Sequence, residues 1–139
     1  MGQLPRWYSG GVGPTPRQKL WLELDGRIVM SDYRVRLLEL VRDSGSLARA
    51  AAEMGLSYRR AWGKLKELEE NLGQPLVESV VGGAGGGRTR LTPFGEAFVE
   101  AYRRFQRRMA DALEEAFGAE LAGLLSGRTQ EARGPRPQL

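Results

Sequence analysis

The chain has 139 residues, with 21 Lys and Arg against 17 Asp and Glu, and neither Cys nor His. That length suits one domain with tails, and the missing Cys and His exclude disulfides, thiolate or imidazole zinc sites, Cys/His nucleophilic pairs and imidazole acid–base catalysis. A formal net charge of +4 and a pI near 9.8 are compatible with a polyanionic partner without being diagnostic of one.

Residues 1–18 are rich in Gly and Pro, lack periodicity, and read as a disordered arm. Arg6, Arg17 and the adjoining Lys19 lie within reach of phosphates there, although a solvated terminus is the simpler reading. The arm has no apolar h-region, so a secretory signal is not expected. No apolar run approaches the roughly 18 residues of a membrane span. The expected location is the cytoplasm.

Leu20–Leu24 and Arg27–Met30 flank Asp25-Gly26. Asp-Gly between two apolar runs signals a hairpin, because both central residues of a type I′ turn need φ > 0. A lone hairpin is marginal in water, so this one must pack on the helical domain or on a partner subunit. Ser31 or Asp32 can cap the next helix, in which Val35, Leu38 and Val41 make the inner face and Leu37 and Leu40 flank it. Arg34, Arg36, Glu39 and Arg42 are expected to point outward.

Ser46–Leu65 reads as two short helices joined by a sharp turn. Ser46 is a plausible N-cap, Leu47, Ala50, Ala51 and Met54 repeat along one face, and Gly55 falls where the chain turns. Ser57 caps a second helix, Tyr58 to Leu72. The small side chains of Ala50, Ala51 and Ala52 permit a steep crossing, as a helix-turn-helix requires. At about 100° per residue, Tyr58, Ala61, Trp62, Leu65, Leu68 and Leu72 share the face assigned to the core. Arg59, Arg60, Gly63 and Glu67 lie opposite, with Lys64 and Lys66 on the flanks. The basic residues occupy the first half and Glu67, Glu69 and Glu70 the second, which suits a helix entering the major groove by its N-terminal half. Gly63 in a helix interior costs roughly 0.5–1 kcal/mol relative to Ala; close approach to DNA or close helix packing would each explain it.

Gly73-Gln74-Pro75 stops that helix. Leu76–Val81 and Arg88–Leu91 read as strands around Gly82-Gly83-Ala84-Gly85-Gly86-Gly87, the wing of a winged helix, with Arg88 and Arg90 placed for a phosphate backbone or minor groove. Gly82–Thr89 also lies one residue from a phosphate-cradling P-loop, but Arg88 stands where Lys is needed and no helix follows directly. Thr92 caps the last helix with Pro93 at its first position. Phe94, Phe98, Ala101, Phe105, Ala112 and Ala116 form its stripe, widened by Tyr102, Met109 and Leu113. A helix reaching Phe117 is about 37 Å long, too long for so small a domain to cover, so its far half is expected to pair with its counterpart in a homodimer. Phe98, Tyr102, Phe105, Met109 and Leu113 are the candidate dimer residues. Arg103, Arg104, Arg107 and Arg108 read as a solvated face, with a second phosphate contact as the alternative, Glu120–Ser126 as a short added helix, and the rest as a flexible tail.

Ser57-Tyr58-Arg59-Arg60-Ala61-Trp62, Leu76-Val77-Glu78, the glycine-rich loop and Leu91-Thr92-Pro93-Phe94-Gly95 together resemble the N-terminal DNA-binding domain of the ModE family of molybdate-responsive transcription regulators. Ala51-Ala52-Glu53, Leu68–Leu76 and Leu91-Thr92-Pro93 are also similar to the broader LysR-type winged helix. The resemblance spans roughly residues 20–117 and implies a dimer on a palindromic operator, commonly one controlling molybdate transport genes. The residues after Phe117 are too few for an oxyanion-binding β-barrel, so molybdate binding by this chain is not expected.

The expected fold is therefore mainly α with small β: a winged helix-turn-helix over residues 19–117, with an N-terminal hairpin and a long C-terminal dimerisation helix, between an arm (1–18) and a short helix and tail (118–139). The expected partner is double-stranded DNA. Arg59, Arg60 and Lys64 are assigned to base edges, Ser57, Tyr58 and Lys66 to phosphates or to holding the helix, and Arg88 and Arg90 to the wing contact. The expected location then includes the nucleoid. No catalytic residue, metal site or cofactor is expected. The alternatives are a winged helix used for protein–protein assembly, or the DNA-binding half of a two-protein sensor.

Overall fold

The computed structural model describes residues 13–81 and 88–126. Arg6, the loop 82–87 and the tail from residue 127 lie outside the described residues. Two units are defined, one spanning Lys19–Phe105 and the other containing residues 13–18 and 106–126. The division falls inside the long last helix, where the sequence carries the domain on to residue 117.

In the first unit, β1 (Trp21–Leu24) pairs antiparallel with β2 (Arg27–Ser31). Asp25 and Gly26 turn between them with φ of 53° and 76°, the double positive φ of the expected turn. A bulge between Leu22 and Glu23 shifts the register. The hairpin packs on its own chain: Met30 is fully buried in the core, and the Asn71 side chain donates to the Ile28 carbonyl at 2.8 Å.

Three consecutive helices follow, each opened by a serine whose hydroxyl accepts an amide of the first turn. Ser31 accepts from Arg34 N ahead of α1 (Asp32–Ser44), Ser46 from Arg49 N ahead of α2 (Leu47–Glu53), and Ser57 from Arg60 N ahead of α3 (Tyr58–Leu72). Between α2 and α3 the chain turns through Gly55, at φ 69°, and Leu56 N donates back to Ala51 O at 2.8 Å. Val35, Leu38, Val41, Ala50, Ala61, Leu65 and Leu68 bury completely or almost so where the three helices meet.

Strands β3 (Val77–Val80) and β4 (Arg88–Leu91) pair antiparallel, Val77 opposite Leu91 and Val80 opposite Arg88. Arg88 opens a strand, not the helix a P-loop would need, so the phosphate-loop alternative is excluded. Thr92 joins the wing to α4 (Pro93–Phe117). Its hydroxyl donates to Pro75 O and accepts from Gly95 N, while its own amide donates to Leu76 O. The Glu69 carboxylate accepts from the amides of Leu76 and Val77 at 2.7 and 3.2 Å, tying the end of α3 to the start of the wing.

Several expectations are corrected. Leu37 is fully buried, not merely flanking. The buried line of α4 within this unit runs through Gly95, Val99 and Tyr102, while Ala101 is exposed. Arg34 does not point freely outward; its side chain is only 11% exposed and reaches Glu67 of α3 at 3.5 Å. Glu39 likewise turns to α4, where Arg103 donates to it through both Nε (2.7 Å) and Nη2. Arg103 therefore leaves the solvated band to which its spacing assigned it. In the other unit, Phe117 and Ala122 are buried. The helix does not break before Glu120 but passes through a π-helical turn, Gly118–Ala122, and returns to α-helix over 123–126.

Candidate nucleic-acid interface

The exposed surface of α3 is concentrated in its first half. Arg59, Arg60 and Gly63 are exposed opposite the buried line of Ala61, Leu65 and Leu68. Among the described residues neither Arg59 nor Arg60 has a salt bridge or a side-chain hydrogen bond. Both guanidiniums keep their full set of donors for a ligand.

Tyr58 and Trp62 are a correction. Helical spacing assigns them to the core face, but they are 57% and 48% exposed. Trp62 sits about 100° round the helix from Ala61, at the rim of the buried stripe, and the described residues leave this end of α3 open. Two aromatic rings therefore border the basic surface. The Lys66 ammonium stands 5.5 Å from the Trp62 ring centroid and 3.1 Å from the Glu69 carboxylate. Lys64 is half-buried, its ammonium 5.4 Å from the ring of Tyr33 on α1. Each is held by a neighbour in a way that Arg59 and Arg60 are not.

Ser57 acts through its cap, since its hydroxyl is occupied by Arg60 N at 3.2 Å. At the wing, Arg90 is paired with Glu78 across the ladder at 2.8 Å. Arg88 lies along the α1–α2 turn: a Cβ on Gly45 would stand 3.0 Å from its Nη2, and Thr89 N donates to Gly45 O at 3.0 Å. β4 is thus pinned beside the start of α2, and among the described residues the Arg88 guanidinium has no carboxylate partner.

The candidate dimer residues are dispersed in role. Phe98 and Phe105 are half-buried against the core of their own chain. Tyr102 is 2% exposed, and its hydroxyl lies 3.0 Å from Leu20 O and 2.9 Å from Asp32 Oδ1. Its one proton is shared between two acceptors of the same chain, so Tyr102 is a clamp on the N-terminal hairpin and not a surface residue. Burial first, and Asp32 second, push its phenol well above the usual range. Met109 and Leu113 are half-buried in the other unit.

A capped three-helix core, a second helix presenting bare cations and a two-stranded ribbon after it define a winged helix-turn-helix. Residues 33–96 match the family model described as bacterial regulatory helix-turn-helix protein, lysR family, in agreement with that fold. The chain is 34% identical over 110 residues to the molybdenum transport protein ModE of Azotobacter vinelandii, covering 74% of this chain and 41% of that protein. It is 31% identical over 110 residues to the DNA-binding transcriptional dual regulator ModE of Escherichia coli K12, covering 77% and 42%. It is 40% identical over 80 residues to the molybdenum-pterin-binding protein MopA of Rhodobacter capsulatus, covering 58% and 30%. The chain thus spans less than half the length of these curated relatives. Among solved structures, the CbnR DNA-binding domain, crystallised as a DNA complex, superposes with a TM-score of 0.52 at 24% identity, over 65% of this chain and 98% of that one. Its likeness establishes the winged-helix fold.

Proposed function

We propose that the chain binds double-stranded DNA as a transcription regulator, with the first half of α3 in the major groove and the wing against the backbone or minor groove. The observation that carries this reading is the pair Arg59 and Arg60, exposed at the start of a capped helix with no carboxylate partner among the described residues. Guanidinium forks without an intramolecular partner match the acceptor edge of guanine, and Arg88 adds a phosphate contact from the side. Glu67, Glu69 and Glu70 lie at the far end of the helix, away from phosphate. The names of the relatives, a molybdenum transport protein and a DNA-binding transcriptional regulator, support control regions of molybdenum-transport genes as the targets; the expected binding form is a homodimer on a palindrome. No oxyanion site is assigned to this chain, and nothing in this reading calls for catalysis.

The test is selection of bound duplexes from a random pool, with and without molybdate, followed by titration of the selected site. A palindromic site, unaltered by molybdate, is expected. Affinity should fall steeply between about 50 and 200 mM salt as phosphate contacts release counterions; a flat response would favour protein–protein assembly instead. Arg60→Ala should weaken specific binding by about 1–3 kcal/mol and relax preference at one base position. Unchanged affinity and preference would remove Arg60 from the readout.

A further inference from the structure

The middle of α3 contains a glycine that the described residues of its own chain do not explain. Gly63 lies inside a helix of 15 residues capped by Ser57 and Gly73. Its φ is not positive, unlike Gly45, Gly55 and Gly73, so no turn requires it. A Cβ built on it meets nothing within 4 Å among the described residues, so no close helix crossing requires it either. Glycine is the poorest helix former after proline, and at this position alanine would fit without any shift.

Its surroundings point to the missing explanation. Gly63 sits nearly opposite the buried line of Ala61, Leu65 and Leu68, at the crest of the exposed face. One turn before it come Arg59 and Arg60, and one turn after it Lys66 and Glu67, all exposed, with Glu67 drawn to Arg34 at 3.5 Å. The crest is therefore a strip of bare backbone with the Arg59 and Arg60 guanidiniums on its N-terminal side. A side chain there would hold an incoming surface off the helix axis, whereas glycine lets it reach the backbone while the guanidiniums one turn before it extend past it.

We propose that Gly63 is the point of closest approach between α3 and duplex DNA, where base-pair edges on the floor of the major groove pack against the helix backbone. This rests on the reading of α3 as the groove-entering helix and adds a specificity-determining position to it. The depth reached at Gly63 sets how far Arg59 and Arg60 extend toward base acceptors, so filling the position withdraws both forks from the bases while leaving long-range attraction to phosphate intact.

The experiment compares the wild-type chain with Gly63→Ala and Gly63→Leu in thermal melts and in anisotropy titrations, against the duplex selected by the wild type and against random-sequence duplex. Gly63→Ala should raise Tm by about 2–8 °C through helix propensity alone. It should weaken binding to the selected duplex by about 10-fold or more, and Gly63→Leu by about 100-fold. Affinity of Gly63→Ala for random-sequence duplex should change by less than about 3-fold, since phosphate contacts carry it. Wild-type affinity for the selected duplex in both variants would overturn the close approach and leave DNA binding by α3 standing. A lower Tm for Gly63→Ala would reveal an intramolecular reason for the glycine and also overturn it. A wild-type chain that selects no duplex would overturn both readings.

Discussion

The exposed crest of α3 and the seam where α4 meets α1 and the wing use the same residue types to opposite ends. At the seam, Arg103 is taken up by Glu39, Tyr102 by Leu20 and Asp32, and Gly95 by the Leu76 carbonyl. On the crest, Arg59 and Arg60 have no side-chain partner and Gly63 no neighbour among the described residues. A count of basic residues or of helical glycines does not separate the two regions. The separation comes from whether the chain itself already satisfies the group. Groups satisfied internally hold the fold, and groups left over, in a helix otherwise capped and packed, are the ones available to a ligand.

The two helical glycines give the largest contrast. A Cβ on Gly95 would stand 2.3 Å from Leu76 O, a backbone atom that already accepts the Thr92 amide. Neither side can yield without losing the joint between wing and α4. Gly95→Ala should therefore cost toward the upper end of the roughly 1–3 kcal/mol typical of overpacking, read as a lower denaturation midpoint. Gly63→Ala should shift stability the other way by roughly 0.5–1 kcal/mol. Shifts of the same sign at both positions would break the comparison.

A smaller effect is expected at the hairpin clamp. Tyr102→Phe keeps the buried ring, which lies 5.8 Å from that of Phe105, and removes only the hydroxyl. Its loss removes one donor from Asp32 and Leu20, which keep their reciprocal bonds Asp32 N to Leu20 O and Leu20 N to Asp32 Oδ2, so the cost should be about 1 kcal/mol of unfolding free energy. Affinity for duplex DNA should be unchanged, because the clamp tethers β1 and not α3. A loss of affinity as large as that of Arg60→Ala would mean that the hairpin orients the recognition helix.

How much of this was legible in the sequence depended on range. Asp25-Gly26 and the capping Ser31, Ser46, Ser57 and Thr92 act within a few residues, and the structure uses each as local chemistry dictates. The π-helical continuation after Phe117 left no such local signal. The orientation of Tyr58 and Trp62 was misread because periodicity tells which side chains share a face, not how far neighbouring elements extend over its rim. Pairings such as Arg103 with Glu39 and Arg34 with Glu67 bring together residues far apart in the chain, and nothing in either segment announces them. At the site, the position of the basic helix was readable. Which cations stay uncommitted was only half so: Lys66 and Glu69 stand three apart on one helix, whereas Arg90 and Glu78 meet only once the strand register is fixed.

The smallest expected effect isolates the seam from the crest by pH. The Arg103 hydrogen bond, aided by the charges of Arg103, Arg42 and Arg36, holds the Glu39 carboxyl below its ordinary value of 4.5, against the opposing effect of burial. A carboxyl with a folded pKa below its unfolded one stabilises the fold above the unfolded value, and that contribution fades as pH falls through the folded value. Glu39→Gln should therefore be less stable than the wild type at neutral pH, by about 1 kcal/mol or less because the pair is partly exposed. The gap should close as pH is lowered below about 4.5. Salt dependence of duplex binding at neutral pH should be the same in both, since Arg103 stands at the seam with α1 and not on the exposed face of α3. If Glu39→Gln steepens that dependence by about one counterion, the freed Arg103 has become a phosphate contact, and the seam is then a reserve of the same electrostatic surface that α3 presents.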